Sequence, residues 1–413
     1  MIAAVDPEQL VRRGVRLEGD DLFLHNNRLH LGGCTRVHIL GAGKAAAPMS
    51  AGIRRILGNR LTGGVIISTG ASPGPAGPVD HGTGDHPVPG RRSLAATREL
   101  LGYVDTQIGP DDLVLFLISG GASSLLTAPL PGVNQRKWRR LQAALVTRGL
   151  PIREINLVRS AFSLVKAGGL AARIYPASLW TLAISDVIGS APETIGSGPT
   201  TRISPPEREK VRRILENHGL AVFIPLLDNI PPRRESPEYP PGGYLVIGDN
   251  RTALEAGRDA AADLDFPARI LTRRLQGPVD VAARRLGRVM RRQRPASGKQ
   301  ALLFGGETTV RITGRGRGGR NQELMLRLLG ELRDLPGPWL AACLGSDGVD
   351  GNSPAAGAWI SHHAAARLRG REKEMETALR KNDSYRFFRK NNGLIETGPT
   401  GTNVMDLGVI LLP

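Results

Sequence analysis

Four apolar runs, each ending in a polar turn rich in glycine, serine or aspartate, constrain the fold of this chain most. Val37–Leu40 runs into Gly41-Ala42-Gly43-Lys44-Ala45-Ala46, and Gly64–Ser68 into a Gly/Pro-rich loop that closes at Gly84–Pro89. Leu113–Ile118 delivers Ser119-Gly120-Gly121-Ala122-Ser123-Ser124, and Leu179–Ile184 delivers Ser185-Asp186-Val187. Between these runs the apolar residues take helical spacing, through Leu57 and again over Ser93–Val104. Apolar strands alternating with helices predict parallel, doubly wound α/β sheets. Ligands of such sheets bind beyond the carboxyl ends of the strands, where all four polar turns fall.

A Pro-rich stretch, Pro231–Gly243, reads as an exposed linker, and a second α/β run starts at Tyr244–Ile247. A helix over Thr252–Asp263, a strand at Ala268–Leu271 and a basic helix over Val279–Arg292 follow. The expected class is α/β, with two Rossmann-like doubly wound domains, each holding a mostly parallel sheet, and a cleft between them. Their expected extents are 1–235 and 244–413, the core of the second lying at about 300–410. An N-terminal helix near Asp6–Arg13 and a hairpin near Leu22–Leu31 precede the first strand.

The second half is built around Leu302–Leu326. There an apolar run reaches Gly305-Gly306-Glu307, a β-branched segment follows, and a glycine-arginine loop, Gly314–Arg320, leads into a helix. Its glycines allow backbone N–H groups to turn inward, Asn321 has the character of a helix cap, and the arginines add charge at a helix start. Together these predict an anion site that includes Gly319 and Arg320. Further on, Gly345-Ser346-Asp347-Gly348-Val349-Asp350-Gly351 and Thr397–Asn403, with Gly401 and Thr402, are the remaining polar loops.

Composition narrows the function classes. A net charge of +17 suggests anionic partners, but the basic residues are dispersed and aromatics are only 4%, with no stacking motif or zinc finger. Nucleic-acid binding is therefore not the expected main function. The two cysteines, Cys34 and Cys343, make neither a disulfide framework nor a metal pattern and are expected reduced and packed. Apolar runs stay below membrane-spanning length, and Asp6 interrupts the start before a signal core forms, so a cytoplasmic location is expected.

Gly41-Ala42-Gly43-Lys44-Ala45-Ala46 fits the G-x-G-x-x-A dinucleotide spacing, but the second strand ends in Ser68-Thr69 rather than in an acid that would hold a ribose. The alternatives are a phosphate or carboxylate cradle with Lys44 as point charge, or a tight turn with a solvated lysine. The Ser119–Ser124 loop lacks the nucleophile-elbow spacing, which argues against a serine hydrolase. Asp186 and Asp347 stand at strand ends, where an aspartate can hold Mg²⁺, accept a hydroxyl proton or simply shape a turn.

Taken together, GAGKAAAPM, HPVP, LISGGASSLL, INLVRSAFSLVKAGGLA, LAISDVIG, SGPT, FGGETTV, GRGRGGRNQEL, GSDGVDG, NDSY and TGPTGTNVMDL resemble the type II glycerate kinase family, whose C-terminal half is the MOFRL domain. The matches run in family order from about residue 5 to the C-terminus. The resemblance implies ATP-dependent phosphorylation of D-glycerate to 2-phosphoglycerate, with Mg²⁺. Lys44 and Arg320 fall on the suspected catalytic pair, and Asp186 on the aspartate that meets the acceptor hydroxyl or the metal. Gly41, Gly43, Ser119, Gly120, Gly121, Ser123, Gly305, Gly306, Glu307, Gly319, Asn321, Asp347, Gly401, Thr402 and Asn403 are the candidate nucleotide- or substrate-binding residues. The expected partners are a small hydroxy acid and ATP, not a membrane or nucleic acid; a homodimer stays open. Two departures stand out: Ser190 where the family has an aspartate, and Gly169 where it has an arginine. The rival readings are a hydroxypyruvate reductase using NAD(P)H, and a catalytically altered relative with a basic binding surface.

Overall fold

The computed structural model describes residues 1–32, 35–70, 77–202, 206–229, 239–293 and 298–412. Cys34 and residues 231–238 of the expected linker lie outside the described residues. The chain packs as two compact units, Pro7–Ile247 and a second made of Met1–Asp6 with Gly248–Pro413. The expected extents, 1–235 and 244–413, thus meet a division that falls after Ile247 and gives the first six residues to the second unit.

In the first unit, β1 (Val15–Glu18), β2 (Asp21–Leu24) and β3 (Asn27–His30) form an antiparallel meander behind the helix Pro7–Gly14. The main sheet comprises β4 (Val37–Ala42), β5 (Leu61–Ser68), β6 (Val79–Thr83), β7 (Leu113–Ile118), β8 (Ser178–Ile184) and β9 (Gly242–Gly248). Its spatial order is β6-β5-β4-β7-β8-β9, and β4 to β8 run parallel. Every residue of β4 and β7 is buried, as continuous apolar runs in a sheet covered on both faces should be. Helix Arg91–Gln107 lays Ala96, Leu100, Leu101 and Val104 on one face, against Leu40, Val65, Val114 and Phe116. Helix Ala46–Leu57 packs against β4, β5 and β7. The order reverses direction between β4 and β7, since successive strands step outward to either side of that pair. This is the topological switch point, where ligands of such sheets bind.

The second unit departs from expectation. Its strands are β10 (Ala268–Pro278), β11 (Gln300–Thr309), β12 (Leu340–Gly345), β13 (Gly357–Ser361), β14 (Leu394–Ile395) and β15 (Asp406–Leu412). They lie in the order β10-β11-β15-β12-β13-β14. Only β10 and β11 pair in parallel; β15 inserts antiparallel to both β11 and β12, and β13 and β14 continue antiparallel. The second sheet is therefore mixed, not mostly parallel. An apolar run buries equally well beside a parallel or an antiparallel neighbour, so periodicity carries no strand direction. Helices Val279–Gln293 and Arg320–Glu331 cover it, with Leu286, Met290, Leu324 and Leu328 meeting Leu302, Phe304 and Ile410 in one core. Cys343 is a free, buried thiol in that core. No helix among the described residues is long and apolar enough to cross a membrane.

Candidate active site

At the switch point of the first unit, the loops after β4 and β7 are tied backbone to backbone. Ser119 N–H donates to the Ala42 carbonyl (3.2 Å) and Lys44 N–H to the Gly120 carbonyl (2.9 Å). The Ser119 hydroxyl accepts from Ala45 N–H (2.9 Å), holding the entry to helix Ala46–Leu57. Only glycine fits between them: Gly43 has φ 144°, and a Cβ there would stand 2.1 Å from Ser119 Oγ. Gly41 is closed in by Leu117 and Ile66 in the same way. The outcome is a fixed perch for Lys44, whose side-chain stem passes Gly121 (φ 86°) alongside the ring of His86.

Ser123 continues the network toward β8. Its hydroxyl lies 3.1 Å from Ser197 Oγ, which in turn meets Asn156 Oδ1 at 3.1 Å. The buried Lys166 ammonium donates to the Ser123 carbonyl (2.6 Å) and hydroxyl (3.3 Å). Burial, helped by the charge of Arg159, brings the Lys166 pKa down to about 7. Asp186 stands at the end of β8 after the fully buried Ser185, on the strand next to β7. Ser190 takes φ 51°, a left-handed backbone that aspartate tolerates better than serine does. The first unit thus brings Gly41, Gly43, Lys44, Ser119, Gly120, Gly121 and Ser123 together in the loops after β4 and β7.

In the second unit the organising group is Arg320, first residue of its helix. Its Nε and Nη2 donate to the two oxygens of buried Asp406 (2.7 and 3.0 Å), and Nη1 donates to Glu307 (2.7 Å) at the end of β11. Burial pulls the guanidinium pKa down, but Asp406 and Glu307 more than offset this and the net shift is upward, so Arg320 is charged at any working pH. These bonds use three of its five N–H groups and leave two for a ligand. Gly305 packs on Asn250, whose amide donates to the carbonyls of Val404 and Asp406 and so sets the start of β15. The loops after β12 and before β15 are zipped together: Val404 N–H donates to Ser346 Oγ (2.7 Å) and Thr400 N–H to the Asp347 carbonyl (3.3 Å). Gly305, Gly306, Glu307, Gly319, Arg320, Asn321, Asp347, Thr402 and Asn403 therefore line one set of loops, with Gly401 exposed at its rim.

Two expectations for this loop set are corrected. Asn321 is not the helix cap; it lies inside the helix, after the cap position at Gly319. Asp350 caps from another loop, Oδ1 accepting from Asn321 N–H (3.1 Å) and Oδ2 from Gln322 N–H (2.8 Å). The N–H groups of the glycine-arginine loop are not an open anion cradle either. Gly314 N–H donates to Asn382 Oδ1, Arg317 N–H to Asp383 Oδ1, Gly318 N–H to Asn352 Oδ1 and Gly316 N–H to the Lys381 carbonyl. Groups from 352 and 381–383 already fill the acceptor role that a bound anion would take. Sequence reasoning passed over Asp350 and Asp406; their signal was an aspartate in each polar loop, with nothing to say which arginine or helix it serves.

Gly398 and Gly401 (φ 66° and 76°) face open space, with no atom within 4 Å of the point where a Cβ would stand, and the buried Thr402 hydroxyl lacks a partner among the described residues. No group of three or more His, Cys, Asp or Glu among the described residues would hold a metal ion by protein alone. Mg²⁺ asks for less, one or two carboxylates plus phosphate oxygens and water.

Known proteins resemble this chain over most of its length. Residues 1–226 match a domain of unknown function, DUF4147, and residues 300–406 match the MOFRL family. The D-glycerate 2-kinase of Thermotoga maritima is 36% identical over 383 residues, 91% of each chain. A relative from Agrobacterium vitis, provisionally named a hydroxypyruvate reductase, is 36% identical over 91% of this chain and 99% of its own. The crystal structure of glycerate kinase from Thermotoga maritima superposes with a TM-score of 0.85 at 32% identity, covering 100% of this chain and 96% of that one. The chain belongs to the DUF4147/MOFRL glycerate kinase family.

Proposed function

We propose that the protein is an ATP-dependent kinase that phosphorylates the 2-hydroxyl of D-glycerate, or of a close small hydroxy acid, giving 2-phosphoglycerate and ADP. The observation that supports this most is the pair of joined strand-end loops at the switch point of the first unit. Two strand-end loops are locked together there around Lys44, in a chain whose relatives carry glycerate kinase names. Bound ATP supplies the phosphoryl group, and Mg²⁺ neutralises part of its charge. What the protein adds to such a transfer is positioning and charge. Lys44 supplies a point charge from a loop whose backbone is tied to Gly120 and to the Ser119 hydroxyl. Arg320 supplies a guanidinium whose orientation is fixed by Asp406 and Glu307 and which keeps two donors for oxygens. Asp186 is assigned to the acceptor hydroxyl or the cation.

The test is a coupled ADP-release assay with Mg²⁺ over a panel of small hydroxy acids, with D-glycerate expected to be turned over best and the product identified as the 2-phosphate. Lys44→Ala and Arg320→Ala should each lower turnover by roughly a hundredfold or more. Near-normal turnover in both variants would remove these side chains from the mechanism. The reductase reading, favoured by the names of the Agrobacterium vitis relatives, predicts instead that hydroxypyruvate consumes NADH or NADPH in the same preparation.

A further inference from the structure

Arg159 is the most buried arginine among the described residues, 8% exposed, on helix Ile152–Ala161 of the first unit. Its Nε donates to a neutral partner, Gln142 Oε1, at 2.9 Å. Among the described residues no carboxylate pairs with it, and no acceptor meets its Nη1 and Nη2 groups. Elsewhere this chain behaves differently. The less buried Arg36, Arg173, Arg320 and Arg327 each face an Asp or Glu. Burying a charge without a counterion is unfavourable, and burial alone lowers the pKa of this guanidinium. An unpaired cation in such a place is what remains when the counter-charge comes from outside the protein.

The neighbourhood suits a ligand. Asn156 lies one turn before Arg159, on the same helix face, and touches Ser197, which touches Ser123 in the loop after β7. Arg159 is also close enough to Lys166 to lower its affinity for a proton, and Lys166 holds that same loop. The guanidinium therefore belongs to the carboxyl-end face of the first sheet. With Nε engaged by Gln142, its remaining edge is the pair Nη1 and Nη2, two parallel N–H groups spaced for a bidentate oxyanion.

We propose that Arg159 is the seat of a ligand oxyanion in the first unit, and that this oxyanion is the carboxylate of the hydroxy-acid substrate. The identification as substrate carboxylate rests on the kinase reading; the binding of an oxyanion at Arg159 does not. Arg159 thereby sets the requirement for an acid, distinguishing glycerate from the polyol of the same carbon chain.

The test compares the full-length protein with Arg159→Gln and Arg159→Lys by thermal shift and calorimetry, using D-glycerate, glycerol and ATP with Mg²⁺ as probes. The wild type should be stabilised by D-glycerate and not by glycerol. Arg159→Gln should weaken D-glycerate binding at least tenfold and leave the Kd of ATP within about twofold. Its own melting temperature should hold or rise, because an unpaired buried charge is gone. Arg159→Lys, which keeps the charge and loses the fork, should fall between the two and carries the comparison if the glutamine variant does not fold. Because these readouts are of binding, a protein that binds D-glycerate through Arg159 but turns over no ATP would sink the kinase reading alone. Loss of ATP binding instead of glycerate binding would assign the oxyanion to a nucleotide phosphate and overturn the proposal. So would equal binding by wild type and variants, or no binding of D-glycerate by the wild type.

Discussion

Asp350 joins the charge of the second unit to its geometry. Burial raises its pKa to about 7 from an ordinary 3.8, against the pull of the two N–H groups of Asn321 and Gln322 that its oxygens cap. With a folded pKa above the unfolded one, the folded protein keeps a proton that the unfolded chain releases between about pH 4 and pH 7. This group's contribution to stability is then fully present below about pH 4 and is lost as the pH rises through about 7. Asp350→Asn abolishes that titration. The melting temperature of the wild type, measured relative to this variant, should fall between pH 4 and pH 7 and stay level above; a constant difference would show an ordinary carboxylate. At this scale the sequence was half legible. Lys44 and Arg320 stand in glycine-framed loops that announce them. Asp406 is 86 residues from the arginine it holds, and Arg159 sits in a helix of mixed polar and apolar residues, so their partners, or the lack of them, only appear once the chain is folded.

Among the elements, β15 shows how narrowly the mixed sheet is determined. It slides between β11 and β12 with Gly408 opposite Phe304, whose ring lies where a side chain on Gly408 would be, 2.1 Å from the nearest ring carbon. Gly408→Val should therefore cost about 1–3 kcal/mol, since Phe304 is fully buried and has nowhere to turn. Denaturant unfolding would read this directly, and an unchanged midpoint would mean that β15 is not seated there. The first sheet was readable because parallel strands buried on both faces announce themselves as unbroken apolar runs joined by helices. The second was not, because its apolar runs are interleaved with helices just as in a parallel sheet, and nothing local tells an inserted antiparallel strand from an added parallel one. The glycine-arginine loop misled for a related reason. Its composition allows an anion cradle, but the residues that fill it come from 352 and 381–383, remote in sequence.

In the molecule as a whole, the two units are crossed twice by the chain, at Asp6–Pro7 and at Ile247–Gly248. The short helical turn Ile2–Val5 packs on helix Asn250–Ala262, where Met1 fills the space left by Gly257, and Val5 is fully buried. Removing residues 2–6 should thus raise amide exchange in 250–262 and leave β4 to β8 protected as before. Loosening of the first sheet instead would place the hexad with the wrong unit. The sequence offered no hint of this, for the segment reads as the lead-in to the helix that follows it.

That placement has a bearing on how the protein is made. A ribosome releases the first six residues long before the helix they rest on, and at roughly 5–20 residues per second the interval is on the order of ten seconds to a minute. The stretch 7–247 emerges complete in that time and can close on its own core, while Val5 and its neighbours wait in water. The hexad is then a tether held in reserve, and residues 248–412 pack onto a segment made before the whole of 7–247.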